Sequence, residues 1–172
     1  MTKFYVRTAL WMTAVLTVAS VSGCPATTSL QESHPLIASG GTAERTKVYF
    51  IRPDPGYRGV MDRAVTISLG GAELLGLAKG QYTLLYLRSG NADMKLDSYT
   101  RAGPSNARTP VSTTAQLTLP PGSTLYLVFE LVPRRWPLAG SVFVSRSVPR
   151  DRALEISRGL TPIGIATSEP IQ

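Results

Sequence analysis

Thr124-Leu125-Tyr126-Leu127-Val128-Phe129-Glu130-Leu131-Val132 is the stretch whose reading decides the fold. One carboxylate interrupts a run of leucine, aromatic and β-branched side chains that is too short for an ordinary helix. Such a run predicts a central strand covered on both faces. Its boundaries are chemical. Pro120-Pro121-Gly122-Ser123 precedes it, with proline at the second corner and glycine at the third, as a type II turn prefers. Pro133-Arg134-Arg135-Trp136-Pro137 follows and breaks it, because proline has no N–H for a ladder.

Working outward, the same grammar repeats. Lys47 to Arg52 is dense in β-formers and stops at Pro53. Val65, Ile67 and Leu69 alternate with Thr66 and Ser68, and Gly70-Gly71 turns the chain towards Glu73–Leu77. Gln81–Leu87 follows, and Met94, Leu96 and Ser98 then alternate against Lys95, Asp97 and Tyr99. Arg101–Pro110, holding Gly103-Pro104, reads as the longest loop and as a candidate binding excursion. Ala115, Leu117 and Leu119 form another alternating strand, and Ser141–Val144 the last. After Pro149, residues Asp151–Ser157 have a helix pattern ending at Gly159. About seven to eight mostly antiparallel strands with one short C-terminal helix predict an all-β fold, a β-sandwich or a barrel-like sandwich.

The opening of the chain sets the expected compartment. Lys3 and Arg7 precede an apolar core from Ala9 to Val21, which closes at Val21-Ser22-Gly23-Cys24. A basic start, a short apolar core and a small-residue exit form a secretory signal segment. The core is shorter than the roughly 20 apolar residues a membrane span needs. Val21-Ser22-Gly23-Cys24 resembles the lipobox of bacterial lipoproteins. That resemblance implies cleavage between Gly23 and Cys24, palmitate-type acylation of Cys24 and, with Pro25 next, placement in the outer membrane facing the periplasm. Cys24 is the single cysteine of the 172 residues, so the exported chain forms no internal disulfide. The expected organisation is a signal peptide at 1–23, a flexible tether at 24–44, a β-domain at 45–160 and a C-terminal tail at 161–172. A tether of roughly 20 residues spans about 25 Å.

The formal charge of +7 falls to +5 when Lys3 and Arg7 leave with the signal. The remaining cations concentrate late, at Arg134, Arg135, Arg146, Arg150, Arg152 and Arg158, and read first as a solvated face, one that would also be attracted to an anionic membrane or a polyanionic glycan. Nucleic acid is not the expected partner, since the cations form no dense tract interleaved with stacking aromatics.

Val48-Tyr49-Phe50-Ile51-Arg52-Pro53, Ile67-Ser68-Leu69-Gly70-Gly71, Gly80-Gln81-Tyr82, Leu117-Thr118-Leu119-Pro120-Pro121-Gly122 and Leu125-Tyr126-Leu127 form an ordered series. Together they resemble small bacterial lipoproteins built on a DUF2846-type domain, over about residues 46–160. One departure is plain: Arg88-Ser89-Gly90 stands where that family often has Pro-Gly-His. The resemblance implies a β-rich exported domain and supplies no chemistry.

The residues themselves offer little catalytic material. His34, the single histidine, falls in the expected tether with no orienting partner in sequence, so no nucleophile–histidine constellation can be assembled. No metal site and no cofactor is implied: zinc would need several imidazoles or thiolates, and Asp54, Asp62, Asp93 and Asp97 lack calcium-loop spacing. Glu73 and Glu130 are the carboxylates left for a hydrolase. Two clusters are candidate binding sites. Trp136 with Arg134 and Arg135 has the composition of a hot spot for protein or for a carboxylate-bearing glycan, or of a cap on the open end of a sandwich. Tyr82 and Tyr86 share a strand face, with Tyr49 and Tyr126 as flanking rings, which is either a ligand surface or a stabilising aromatic ladder. The expected function is a non-catalytic lipid-anchored envelope protein that binds or scaffolds an envelope component. The alternatives are a glycan- or peptidoglycan-binding module and, behind it, a carboxylate-dependent hydrolase.

Overall fold

Among the described residues, nine strands and one α-helix follow each other in the order β1 (Arg45–Arg52), β2 (Val65–Leu69), β3 (Ala72–Leu77), β4 (Gln81–Arg88), β5 (Gly90–Ala102), β6 (Ala107–Leu119), β7 (Thr124–Pro133), β8 (Ser141–Ser147), α1 (Arg150–Ser157) and β9 (Thr161–Gly164). The structure is a computed structural model and describes residues 34–37, 44–54, 64–102, 107–133 and 141–172. The strands form two open sheets, β8-β7-β1-β4-β9 and β3-β2-β5-β6, and no closed barrel. Most pairings are antiparallel. The exceptions are β1 with β7 and β4 with β9.

Alternation places the core. Val48 and Phe50 of β1, Leu85 and Leu87 of β4, and Leu127 and Phe129 of β7 point from the five-stranded sheet into one apolar cluster. Ile67, Leu69, Met94, Leu96 and Leu117 enter that cluster from the four-stranded sheet. The intervening residues of β1 and β4, Tyr49, Ile51, Tyr82 and Leu84, point the other way into a second cluster with Ala153 of α1, Ala166 and Ile171. The five-stranded sheet is therefore covered twice, by a sheet on one side and by α1 and residues 165–172 on the other. This is the two-sided burial that the apolar run in β7 predicts.

The turns follow from their residues. Gly70 and Gly71 take φ 58° and 84°, and positive values at both centres suit a two-residue β2–β3 hairpin. Gly122 takes φ 64°, the positive third corner of the turn before β7. That turn is also fastened to β1, with Gly122 N–H donating to Arg45 O at 2.9 Å and Thr46 Oγ1 donating to Pro120 O at 2.7 Å.

Several expectations need correction. Residues 101–102 and 107–110, expected within a loop, belong to strands, and residues 103–106 lie outside the described residues. β5 and β6 pair from Gly90↔Leu119 to Ala102↔Ala107, carrying the hairpin through Pro110, which is tolerated because β6 is an edge strand. Strict alternation fails in β3, where a register shift opposite Ile67/Ser68 lets the adjacent Leu74 and Leu75 both be buried. The C-terminal tail, expected to start with an ordered turn, starts instead as a strand, with Thr161–Gly164 pairing alongside Gln81–Leu84. Residues 34–37, expected within the tether, pack on the domain. His34 is 3% exposed, its Nε2 lies 3.0 Å from Leu69 O, and its Nδ1 accepts from Leu36 N–H at 3.1 Å. Ile37 bridges to Leu87, so the histidine is a docking residue with partners that sequence spacing does not reveal.

Arg52 is the largest fully buried side chain, and it lies on the core side of β1. Its Nη1 donates to Leu77 O at 2.6 Å, and its guanidinium sits 5.4 Å from the Phe143 ring centre. Burial pulls its pKa down to about 10, partly offset by Asp54, so it stays charged at neutral pH. Arg52 thus links β1, β3 and β8 at one end of the core. Arg52→Ala is expected to cost about 3 kcal/mol through a cavity and an orphaned carbonyl, and Arg52→Met about half as much because it keeps volume. Urea denaturation of the two variants reads this. A wild-type midpoint for Arg52→Ala would remove the residue from the core's support.

Candidate functional site

A groove of about 340 Å³ opens where β1 and β7 meet residues 168–172. Its walls include Lys47, Tyr49, Thr124, Tyr126, Arg150 and Glu169. The parallel pairing of β1 with β7 creates its floor, since Tyr49 is directly opposite Tyr126. The rings stack at 5.3 Å between centroids with 7° between planes. Tyr49 is buried and Tyr126 half-buried, so Tyr126 presents the aromatic surface. Lys47, two residues before Tyr49 and on the same strand face, holds its ammonium 5.3 Å from the Tyr49 ring centre. Arg150, exposed at the start of α1, supplies the second cation of the rim.

One carboxylate organises the covered end. Glu169 Oε2 receives the Lys47 ammonium at 3.0 Å and the Tyr86 hydroxyl at 2.7 Å. Tyr49 Oη donates to Glu169 O at 3.1 Å, with Pro170 O at 3.4 Å. Ile171 inserts into the cluster of Tyr49, Tyr82 and Leu84, and the Tyr82 phenol oxygen accepts a hydrogen bond from the Ile171 backbone N–H. Burying Ile171 contributes about 2 kcal/mol, and each neutral hydrogen bond about 1 kcal/mol. Fixing each backbone residue costs about 1–2 kcal/mol, so the segment is held with little surplus.

These contacts shift the titrations coherently. Burial works against the Lys47 ammonium, but hydrogen bonds with Glu169 and Tyr49 outweigh it and push Lys47 up to about 12. The bonds from Tyr86 and Lys47 hold the Glu169 carboxyl below the usual range. Tyr86 is pushed up by its bond to Glu169 and by burial, and Tyr126 by burial and Tyr49. Burial and Tyr49 also raise Tyr82, against the Ile171 backbone bond.

Of the candidate residues, the structure brings Tyr82, Tyr86, Tyr49 and Tyr126 onto one sheet face, as strand parity implies. It places them differently from an open ligand surface, because residues 168–172 lie over Tyr82 and Tyr86. Cys24 and Gly23, and Trp136, Arg134 and Arg135, lie outside the described residues. Val132 of β7 and Val144 of β8 are exposed. Glu73 is exposed on the four-stranded sheet, while Glu130 accepts from Arg146 at 2.8 Å on the five-stranded one, so the two do not share a face. Among the described residues, no group of three or more His, Cys, Asp or Glu gathers around a possible metal position. No described helix is long and apolar enough to cross a membrane.

No protein-family model matches the chain, and no curated protein or solved structure is significantly similar to it. The likeness to DUF2846-type lipoproteins rests on the quoted motifs alone. Lys47 and Glu169 are the groove residues that sequence reasoning missed, and Arg150 was legible only as one of the late cations. The Lys47–Glu169 pair joins positions 122 residues apart, and only the fold sets them together.

The shifts carry a sign. Glu169, held low, stabilises the segment above the usual carboxylate range, and this is lost as pH falls through its folded value. Lys47 and Tyr86, held high, stabilise it below about 10, and this is lost as pH rises through their folded values. Tyrosinate absorbance is expected to show a fraction titrating above the ordinary phenol range. Glu169→Gln should move the Tyr86 part of it back towards that range. A single ordinary step in wild type and variant alike would dissolve the proposed network.

Proposed function

We propose that this protein is a non-catalytic, lipid-anchored β-sandwich protein of the bacterial envelope. In this reading Cys24 carries the lipid at the periplasmic face of the outer membrane. The folded domain binds another envelope component bearing anionic groups. The groove carries the reading: two cations, Lys47 and Arg150, flank a half-buried tyrosine on a sheet braced on both faces. Cations around an aromatic surface that is rigid before binding suit a carboxylate or phosphate borne on an apolar body. The signal-like opening, the lipobox resemblance and the single cysteine support the location. The ordered motifs resembling DUF2846-type domains support an exported β-rich domain.

Two measurements on the native full-length protein test it. Intact mass of the envelope-purified protein is expected to show a chain starting at Cys24 with acyl chains attached, and Cys24→Ser is expected to leave the outer-membrane fraction. In crosslinked capture from detergent-solubilised envelope, Lys47→Ala/Arg150→Ala should lose the wild-type partner while keeping a cooperative melt. An unacylated thiol in a soluble chain would overturn the location. Capture unchanged by the double substitution would overturn the groove.

A further inference from the structure

Residues 168–172 leave a turn, with Ser168 and Glu169 N–H donating to Ile165 O, and lie on the sheet. They carry no helix or strand, and they contact the sheet through alternating chemistry: the Glu169 carboxylate, backbone carbonyls of Glu169 and Pro170, and the Ile171 side chain. The sheet supplies a matching receptor. Lys47 and the Tyr86 hydroxyl converge on one carboxylate oxygen, the Tyr49 hydroxyl reads the following carbonyls, and the second apolar cluster takes the isoleucine. Proline between the two anchors fixes the backbone and lowers the ordering cost. We propose that this receptor recognises an acidic-proline-aliphatic peptide from a partner protein, and that residues 168–172 occupy the site in cis until such a peptide replaces them. The inference deepens the groove reading above and rests on it.

Three observations carry the replacement. The segment is anchored by a single buried side chain, with Glu169 only partly covered and Pro170 exposed, which places it among the parts of a structure that open locally. Once it opens, Tyr49 and Tyr82 lose their cover, leaving an aromatic patch that favours a second occupant. Half-buried Tyr126 and exposed Arg150 also line the groove, so an incoming chain finds a ring and a cation that the resident segment does not fully cover. A tethered occupant reduces apparent affinity for a free peptide in proportion to the fraction of closed molecules. Release of the segment must therefore strengthen binding.

The test uses the full chain and a fluorescent peptide copying residues 167–172. In fluorescence anisotropy, Glu169→Ala/Ile171→Ser, which frees the segment without touching the receptor, is expected to bind the peptide at least about 10-fold more tightly than wild type. A probe with glutamine in place of its glutamate should lose that gain, as should adding Lys47→Met to the released variant. Far-UV circular dichroism checks that each variant keeps its sheet. A folded released variant that binds no tighter than wild type, or one that binds both probes equally, overturns the proposal. Failure here with envelope capture still dependent on Lys47 and Arg150 defeats the peptide receptor alone. Peptide binding without any envelope capture supports the receptor and defeats the broader function.

Discussion

β1 has apolar side chains on both of its faces, and that constraint shapes the rest of the molecule. Val48 and Phe50 on one side and Tyr49 and Ile51 on the other are all within 3% of full burial. A strand of this kind cannot lie at an edge or in a sheet with a wet face. It takes the centre of the five-stranded sheet, with β7 and β4 as neighbours. The four-stranded sheet covers one face. The other face needs a second cover, which comes from α1 and residues 165–172.

The two covers differ in kind. The sheet interface is apolar over most of its area, with Phe50 stacked on Phe129 at 5.9 Å and Arg52 closing one end. The second cover is thinner. α1 is eight residues long and buries only Ala153 completely, too short a helix to persist without packing. Beyond it, tyrosine hydroxyls and one ion pair hold the chain to the sheet. Tyrosine suits this role because its ring packs on the aromatic floor while its hydroxyl reaches the rim. Residues with that dual character place the groove at the thinly covered end and not over the apolar core.

Much of this was legible in the residues. The alternation of Val65, Ile67 and Leu69 and of Met94, Leu96 and Ser98, the glycine turns, the run in β7 and the short helix each follow from local chemistry, and each is where it was expected. Tyr82 and Tyr86 were legible as a pair because parity alone puts them on one face. β9 was not, because Pro162 and Gly164 give no β-forming pattern. Its pairing comes from β4, and the close approach of Thr83 Oγ1, 3.3 Å from where a Gly164 Cβ would be, shows how the neighbour shapes that strand. His34 was hidden for a similar reason: its partners, Leu69 O and Ala72 O, belong to a hairpin more than thirty residues away. The Lys47–Tyr86–Glu169 contact joins three distant segments, and no spacing rule anticipates it.

β1 is held between the four-stranded sheet and a second cover whose last part, residues 168–172, is the part we propose opens. Native-state amide hydrogen exchange on the full chain tests it most directly. The account predicts that amides of Val48–Ile51, Leu84 and Leu127–Phe129 exchange only on global unfolding, while those of residues 168, 169, 171 and 172 exchange orders of magnitude faster under the same conditions. Equal protection of the last residues and β1 would contradict the account, because it would make the second cover as permanent as the first.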